Sequence, residues 1–449
     1  MRTLFAFILI LIIPISSFAQ KELSLKQAIQ IALHKNSSIQ KGLNNLESSE
    51  SNVKQSYGNF LPTLGLGASW DWTRSDVSGF GTVVIGGVQV PSFAVTTQTR
   101  NYQWNINTNW TLFDGLANLA TLSKTKNELK SAKLSLERLK QDIVFQTTSL
   151  YYDIINNQQQ LKVNKDNLKW NKKNLETIRE RNKLGAATLA DVYQQEVATG
   201  NSELELIKTS NSFEIAKSNL LFYLGLDVLE EYVFSDTLTT EESEILNTDL
   251  SKDYKNLSDI VDNALNSRLD YKSAQLNLES AVNGVTIAKS GHLPRLVANG
   301  FYTWRGDNIN DIDRSKTLSV GLSLNIPIFT GWSVDNRVQF AKVDMKNKEV
   351  ELNDLQRDIK RQIQTTYLDL QAAQKGLTVS QSNVASAGEN LKIEQERYSL
   401  GASKLLDVLV ANSNYTKALS DLINAQFAYI VLSKKLKYYL GVLDYSKYE

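Results

Sequence analysis

The chain has 449 residues, no cysteine and only two histidines, with 49 basic against 48 acidic side chains and a formal charge of +1. These counts exclude a disulfide framework, a thiolate metal site and a lipid-modified N-terminal cysteine, nearly exclude a His-dependent triad or His-rich metal centre, and give no electrostatic footprint for nucleic acid. The apolar share of 42% lies a little under the usual globular range of roughly 45–50%, which points to much wetted surface.

Met1 to Ala19 runs from Arg2 through an apolar stretch, Leu4 to Ile13, to Pro14 and the small-residue exit Ser16-Ser17-Phe18-Ala19. This is the order of a secretory signal cleaved after Ala19. The alternative, a membrane anchor, needs ~20 apolar residues. Without Arg2 the mature chain carries 48 charges of each sign. No later stretch reaches the ~18 consecutive apolar residues of a spanning helix, so only strands can cross a membrane.

A first helical run, 25–58, is followed by two alternating segments. In 63–73, Leu64, Leu66, Ala68, Trp70 and Trp72 lie on one side and Thr63, Gly65, Gly67, Ser69 and Asp71 on the other. In 101–112, Tyr102, Trp104, Ile106, Trp110 and Leu112 oppose Asn101, Gln103, Asn105, Asn107 and Asn109. The Asn-rich side suits either a neutral lumen or an ordinary solvated sheet face. The next run, 116–184, contains no proline, and a proline would cost about 3 kcal/mol inside a helix. Ile154, Leu161, Leu168 and Leu175 recur every seven residues, the period of helices that coil left-handedly on their neighbours. Polar residues on both remaining sides leave a narrow seam. After a turn, 186–225 forms the returning helix, and 226–256 is an acidic, turn-rich linker or equatorial segment.

The pattern then repeats. At a shift of 232, Leu46-Glu47-Ser48 meets Leu278-Glu279-Ser280, Leu61-Pro62 meets Leu293-Pro294 and Trp72 meets Trp304. Past the segment 74–100 the shift is 216: Gly115 meets Gly331, Tyr151 meets Tyr367, and Tyr223-Leu224-Gly225 meets Tyr439-Leu440-Gly441. The first copy therefore spans 20–225 and carries a longer loop. The second spans 257–441, with a helix over 257–290, strands over 295–304 and 317–328, a long helix over 332–400, a returning helix over 402–440 and a tail over 442–449. Leu370, Leu377, Val384 and Leu391 repeat the heptad.

Period-two segments of about ten residues match transmembrane strands of ~9–11 residues. Six of the seven tryptophans, all but Trp170, lie in or beside them, as in interfacial girdles. The alternative is a soluble sheet with one face packed on helices. Four strands cannot close a barrel, and an open edge in lipid strands backbone groups at several kcal/mol each. Several chains must therefore share one barrel.

Two segments mark the helical reversals: Arg181-Asn182-Lys183-Leu184-Gly185-Ala186-Ala187-Thr188-Leu189-Ala190-Asp191-Val192 and Arg397-Tyr398-Ser399-Leu400-Gly401-Ala402-Ser403-Lys404-Leu405-Leu406-Asp407-Val408. With the duplication and the element order, they make the chain resemble the TolC family of outer-membrane efflux and type I secretion ducts over almost its whole mature length. The resemblance implies a mainly α fold with a membrane β-barrel part. It implies a homotrimer whose four strands per chain make a 12-stranded barrel in outer-membrane lipid, continued into the periplasm by an α-barrel of antiparallel coiled coils. It also implies a passive duct that docks to a periplasmic adaptor and is driven by an inner-membrane pump.

At the reversals, Gly185 and Gly401 supply permissive backbone, and Asp191 and Asp407 cap or charge the returning helix. A well-made turn would explain that much alone. A functional role adds an adaptor-contact surface at Leu184, Gly185, Ala186, Leu189, Leu400, Gly401, Ala402 and Leu405. By resemblance, Asp191, Tyr398 and Asp407 form an entrance constriction. Ser403 and Val410 stand where some members place a gate arginine and a second carboxylate. No phosphate loop, HExxH or GxSxG occurs, so no catalytic residue, cofactor or metal is expected. The competing function is an exported trimeric coiled-coil structural or adhesion protein, which accounts for heptads and export but not for four alternating strands.

Overall fold

The computed structural model describes residues 21–79, 81–91, 94–235, 240–248 and 256–448. The signal segment 1–19 and parts of the linker, 236–239 and 249–255, lie outside them. The fold is mainly helical, with one four-stranded antiparallel sheet. Two units divide the chain. One draws its described residues from 42–136 and 269–357, the other from 1–41, 137–268 and 358–449.

The first of these units holds the sheet. Strands β1 (Lys21–Leu23), β2 (Thr63–Val77), β3 (Thr82–Ile85), β4 (Val88–Pro91), β5 (Val95–Phe113), β6 (Tyr232–Phe234), β7 (Arg295–Gly306) and β8 (Ser315–Asn325) include its four members, ordered β2-β5-β7-β8. β8 ends before Pro327, which has no N–H for a ladder, whereas alternation alone carries it to 328. The register stacks Leu66, Ile106, Tyr302 and Leu318 in one row, and Ala68, Trp104, Trp304 and Lys316 in the next. Leu64, Leu66, Leu318, Val320 and Leu322 are all strongly exposed. The segment expected as a longer loop contains the hairpin β3–β4.

Helices α1 (Leu25–Lys35), α2 (Ser37–Gly58), α3 (Ala117–Lys183), α4 (Leu189–Leu224), α5 (Thr240–Asn247), α6 (Leu257–Ser267), α7 (Leu269–Lys289), α8 (Ser333–Ser399) and α9 (Leu405–Tyr439) make up the rest. The sheet unit packs α2 and α7 on the early turns of α3 through small polar side chains. Ser56 and Thr125 hydroxyls lie 3.1 Å apart, and those of Ser131 and Ser273 2.7 Å. At both strand-to-helix junctions a non-glycine residue follows a positive-φ glycine with positive φ of its own: Leu116 at 74° after Gly115, and Trp332 at 64° after Gly331. Such backbone costs roughly 1–2 kcal/mol per residue. It leaves both apolar side chains exposed beside the sheet's helical end.

The other unit buries Ile29, Ile143, Ile154, Leu220, Leu224, Ile363, Leu370 and Tyr429. The runs 25–58 and 257–290 each break once, because Asn36 and Arg268 adopt extended backbone. Asn36 accepts from Ser38 N at 2.8 Å and donates to Tyr223 O at 2.9 Å, which recaps the chain. β1 and β6 pair in parallel, tied by Lys21 Nζ to Glu230 Oε2 at 2.9 Å. Tyr151 donates to Leu23 O at 3.1 Å beneath this pair. Burial pushes the Tyr151 and Tyr438 phenols up to about 12.

Candidate functional site at the helical reversals

Each reversal begins as a helix that runs out of carbonyl partners. After α3, Gly185 takes φ +76°, and the N–H groups of Gly185 and Ala186 return to Asn182 O (2.9 Å) and Arg181 O (2.7 Å). After α8, Gly401 takes φ +70°, and Gly401 and Ala402 return to Tyr398 O (3.1 Å) and Arg397 O (2.7 Å). Left-handed backbone just past the helix closes both ends. A Cβ at either glycine would meet nothing within 4 Å, so the demand for glycine there comes from backbone conformation alone.

The two returning helices start differently. Thr188 caps α4: Asp191 N donates to Thr188 Oγ1 at 3.1 Å, and Asp191 Oδ2 accepts from Thr188 N (2.9 Å) and Oγ1 (2.7 Å), a reciprocal capping box. At α9 the N-cap is Lys404, whose N–H reaches Asp407 Oδ2 at 3.1 Å. Asp407 is exposed, whereas Asp191 is half-buried within its box. Both helices begin three residues beyond the sequence-based starts at 186 and 402, since the turn consumes the Gly-Ala pair.

Of the expected contact residues, Leu184, Leu189 and Leu400 stand free at 84%, 56% and 82% exposure, with Gly185, Ala186, Gly401 and Ala402 beside them. Leu405 is a correction. It is 1% exposed and packs with Ile178 and Val192, because the first turn of α9 aims it at the core. Its neighbour Leu406 is the exposed one, at 52%. Tyr398 packs against both that cluster and Leu391, Val408 and Ala411, with the Arg181 guanidinium 5.5 Å from its ring centre. Asp191 and Asp407 are occupied with their own helix starts.

Two features went unread in the sequence. A cleft of about 300 Å³ beside Tyr398 is lined by Trp170, Lys173, Arg181 and Val408. Above it, α3 meets α4 and α9 through amides. Asn164 donates to Thr209 Oγ1 (2.8 Å), Asn171 to Ser202 Oγ (2.8 Å), Asn174 to Gln195 Oε1 (2.7 Å) and Asn412 to Asn167 Oδ1 (2.8 Å). Asn164, Asn167, Asn171, Ser202, Thr209 and Asn412 line a groove of about 680 Å³. The signal was present, since Asn157, Asn164 and Asn171 repeat by seven, as do Gln160, Asn167 and Asn174. Among the described residues no group of His, Asp or Glu is arranged for a metal, and no helix is long and apolar enough to cross a membrane.

An antiparallel sheet with an apolar face between aromatic rows, carrying long paired helices that reverse on glycine, defines a channel-type outer-membrane protein. The chain belongs to the outer membrane efflux protein family, whose model matches residues 28–226 and 260–442. It is similar to the outer membrane protein TolC of Vibrio cholerae serotype O1, 21% identical over 335 residues, 72% of this chain and 73% of that one. Over 440 residues it is 21% identical to the TolC of Salmonella enteritidis, 96% of this chain and 84% of that one. The solved structure of the outer membrane protein VceC from Vibrio cholerae shares the fold, with a TM-score of 0.76 at 21% identity over 93% of this chain and 96% of that one. The protein is an outer-membrane efflux channel that extends into the periplasm.

Proposed function

We propose that three copies of the chain build one duct. Each contributes β2, β5, β7 and β8 to a shared 12-stranded barrel, and the helices continue it as an α-barrel toward a periplasmic adaptor and an inner-membrane pump. The observation that carries this is the sheet itself. Among the described residues β2 and β8 have no neighbour on their outer sides, while the face around Leu64, Val320 and Leu322 is apolar and exposed. In lipid those edges demand partners. Ten residues separate the Trp72–Arg100 row from Trp110 on β5, about 34 Å at ~3.4 Å each. Tilted by ~35–45°, they match an apolar band ~25 Å tall.

The opposite face then lines the lumen with Asn105, Asn107, Asn109 and Asn299. Asn105 and Asn107 lie over the cross-strand Gly67 and Gly65, so the wall is flat and amide-lined between Arg305 and Asp71 at one end and Arg295 at the other. The two copies of the hairpin motif arise from duplication. Their exposed Leu184 and Leu400, beside the open glycine surfaces, meet the adaptor. Tyr398, Asp191 and Asp407 sit at the periplasmic entrance, where three carboxylates from Asp407 attract cations. Asp407 is the better candidate because Asp191 already serves two donors of Thr188.

Planar-bilayer recording of the purified full chain and its Asp407→Asn variant tests this. The amide still accepts from Lys404 N but carries no charge. We expect stepwise conductance with cation preference, and in the variant a lower preference and a larger conductance. No conductance from the wild type would end the duct reading, whereas an unchanged variant would remove Asp407 alone from the entrance.

A further inference from the structure

Where the sheet meets the helices, the strand face opposite Leu66 and Leu318 opens into a cavity of about 690 Å³. That volume falls within the ~300–1,000 Å³ of ordinary ligand sites. Two features of the chain shape it. Between Thr111 and Phe113 two residues of β5 stand against one of β7, a bulge that ends the pairing and re-aims the side chains beside it. Close by, Gly115 at φ +70° lies so near the loop after α7 that a Cβ would stand 2.8 Å from Ser290 O and 2.7 Å from Leu293 Cβ. Only glycine allows that approach. Asn118 near the start of α3 and Ser333 at the start of α8 line the same cavity.

The charges in the cavity do not balance. Arg295, at the start of β7, and Arg337, near the start of α8, both line it, and Asp114 is the one acid among its lining residues. Asp114 is already engaged, because its Oδ2 accepts from Asn118 N at 2.9 Å. Asp335, two residues before Arg337, meets His292 Nε2 at 3.8 Å and is not part of the wall. Arg295 Nη2 reaches only the Thr111 hydroxyl, at 3.4 Å. The Arg337 guanidinium lies over Gly291, its Nη2 3.1 Å from where a Cβ would stand, and has no hydrogen-bond or ion-pair partner among the described residues. The side-chain amides of Asn109 and Asn325, in the same lining, are equally without partners there. A guanidinium fork matches the oxygens of a carboxylate or a phosphate. Two forks with amide donors between them, against one engaged acid, favour an anion over a neutral solute or a cation. Leu61 and Leu293 are exposed on the same lining and offer apolar surface to an organic body.

We propose that this cavity binds a small organic anion by its carboxylate or phosphate head, with Arg295 and Arg337 as the two charged contacts. Both side chains are exposed, so the anion is screened by water and exchanges freely. The cavity's place in a lumen rests on the duct reading, whereas its chemistry rests on the lining alone. Binding is measured without transport, so failure of one reading is told apart from failure of the other. The test is calorimetric titration of the purified full chain, in its oligomeric form and against a detergent blank, with benzoate, phenyl phosphate and the neutral benzamide. Wild type is expected to bind both anions about tenfold more tightly than benzamide, and the tighter of the two names the preferred head. Arg295→Gln and Arg337→Gln, each eluting as the wild-type oligomer, are expected to weaken both anions about tenfold and leave benzamide unchanged. Asp114→Asn keeps an acceptor for Asn118 N, removes the opposing charge and is expected to tighten both anions. Arg305→Gln removes the same charge from the far end of this strand face, where Arg305 holds Gln103 at 3.0 Å, and is expected to bind as wild type does. Equal binding of benzamide, wild-type anion affinity in Arg295→Gln and Arg337→Gln, or an equal loss in Arg305→Gln would overturn the proposal.

Discussion

Single side chains in this protein separate stability from function more cleanly than motif membership does. Asp191 and Asp407 occupy equivalent places in the duplicated motif, yet one is locked in a capping box with Thr188 and the other faces solvent with one backbone donor. Their difference follows from the cap residue, a threonine against a lysine that has no acceptor to offer. Leu405 likewise shares the motif position of Leu189, which is 56% exposed, but is itself 1% exposed. Away from the reversals, Tyr151 carries a pH dependence. Its phenol is raised from 10.0 to about 12, first by burial and then by Glu242 nearby, with the hydrogen bond to Ser235 opposing. The folded state thus holds this proton more tightly than the unfolded chain does. The stabilising contribution is complete below about pH 10 and is lost as pH rises through about 12. Ultraviolet titration should show Tyr151 ionising near pH 12. In Tyr151→Phe, the fall of melting temperature between pH 10 and 12 should be shallower than in wild type. An identical slope would contradict the assignment.

At the scale of elements, the reversals show how backbone and surface demands separate. Because a Cβ at position 185 or 401 meets open space, Gly185→Ala and Gly401→Ala should each cost only about 1 kcal/mol, the price of left-handed backbone at a non-glycine residue, read by denaturant unfolding. Gly185→Trp with Gly401→Trp should abolish export by an assembled system while leaving the oligomer intact, and normal export by that double variant would remove the adaptor-contact role. Strands of the main sheet were legible because a two-sided environment writes a period of two, and the seam at Ile154, Leu168, Leu370 and Leu377 because coiled packing writes a period of seven. The β1–β6 pair was not legible. Three residues on each side have no period, and their partners lie more than 200 positions apart. The breaks at Asn36 and Arg268 were hidden by continuous helical composition. The β3–β4 hairpin has a signal in the sequence, Gly86-Gly87 between Val-Ile and Val-Gln-Val; these glycines take φ of +59° and +84°, the two positive values that a tight hairpin turn requires. Leu405 was misread because a motif fixes spacing along the chain, whereas burial depends on which way the first helical turn faces.

For the whole molecule, one deficiency organises the account: a lipid-facing sheet of four strands with two open edges cannot be stable in a membrane by itself. The amide ladder along α3 extends the theme, since Asn164 and Asn171 take core positions where apolar side chains would bind more strongly and specify less. Helices joined in this way hold register at low cost. In the duct we propose, the strand face that carries Asn105, Asn107 and Asn109 lets cargo pass without gripping it. In that proposal, selection of the cargo falls to the adaptor and the pump. The most direct test of the central claim is the mass of the full chain extracted in mild detergent, measured by light scattering with the detergent contribution subtracted. The account predicts three chains per particle, with no monomer at membrane-protein concentrations; a stable monomeric particle with the sheet intact would contradict it.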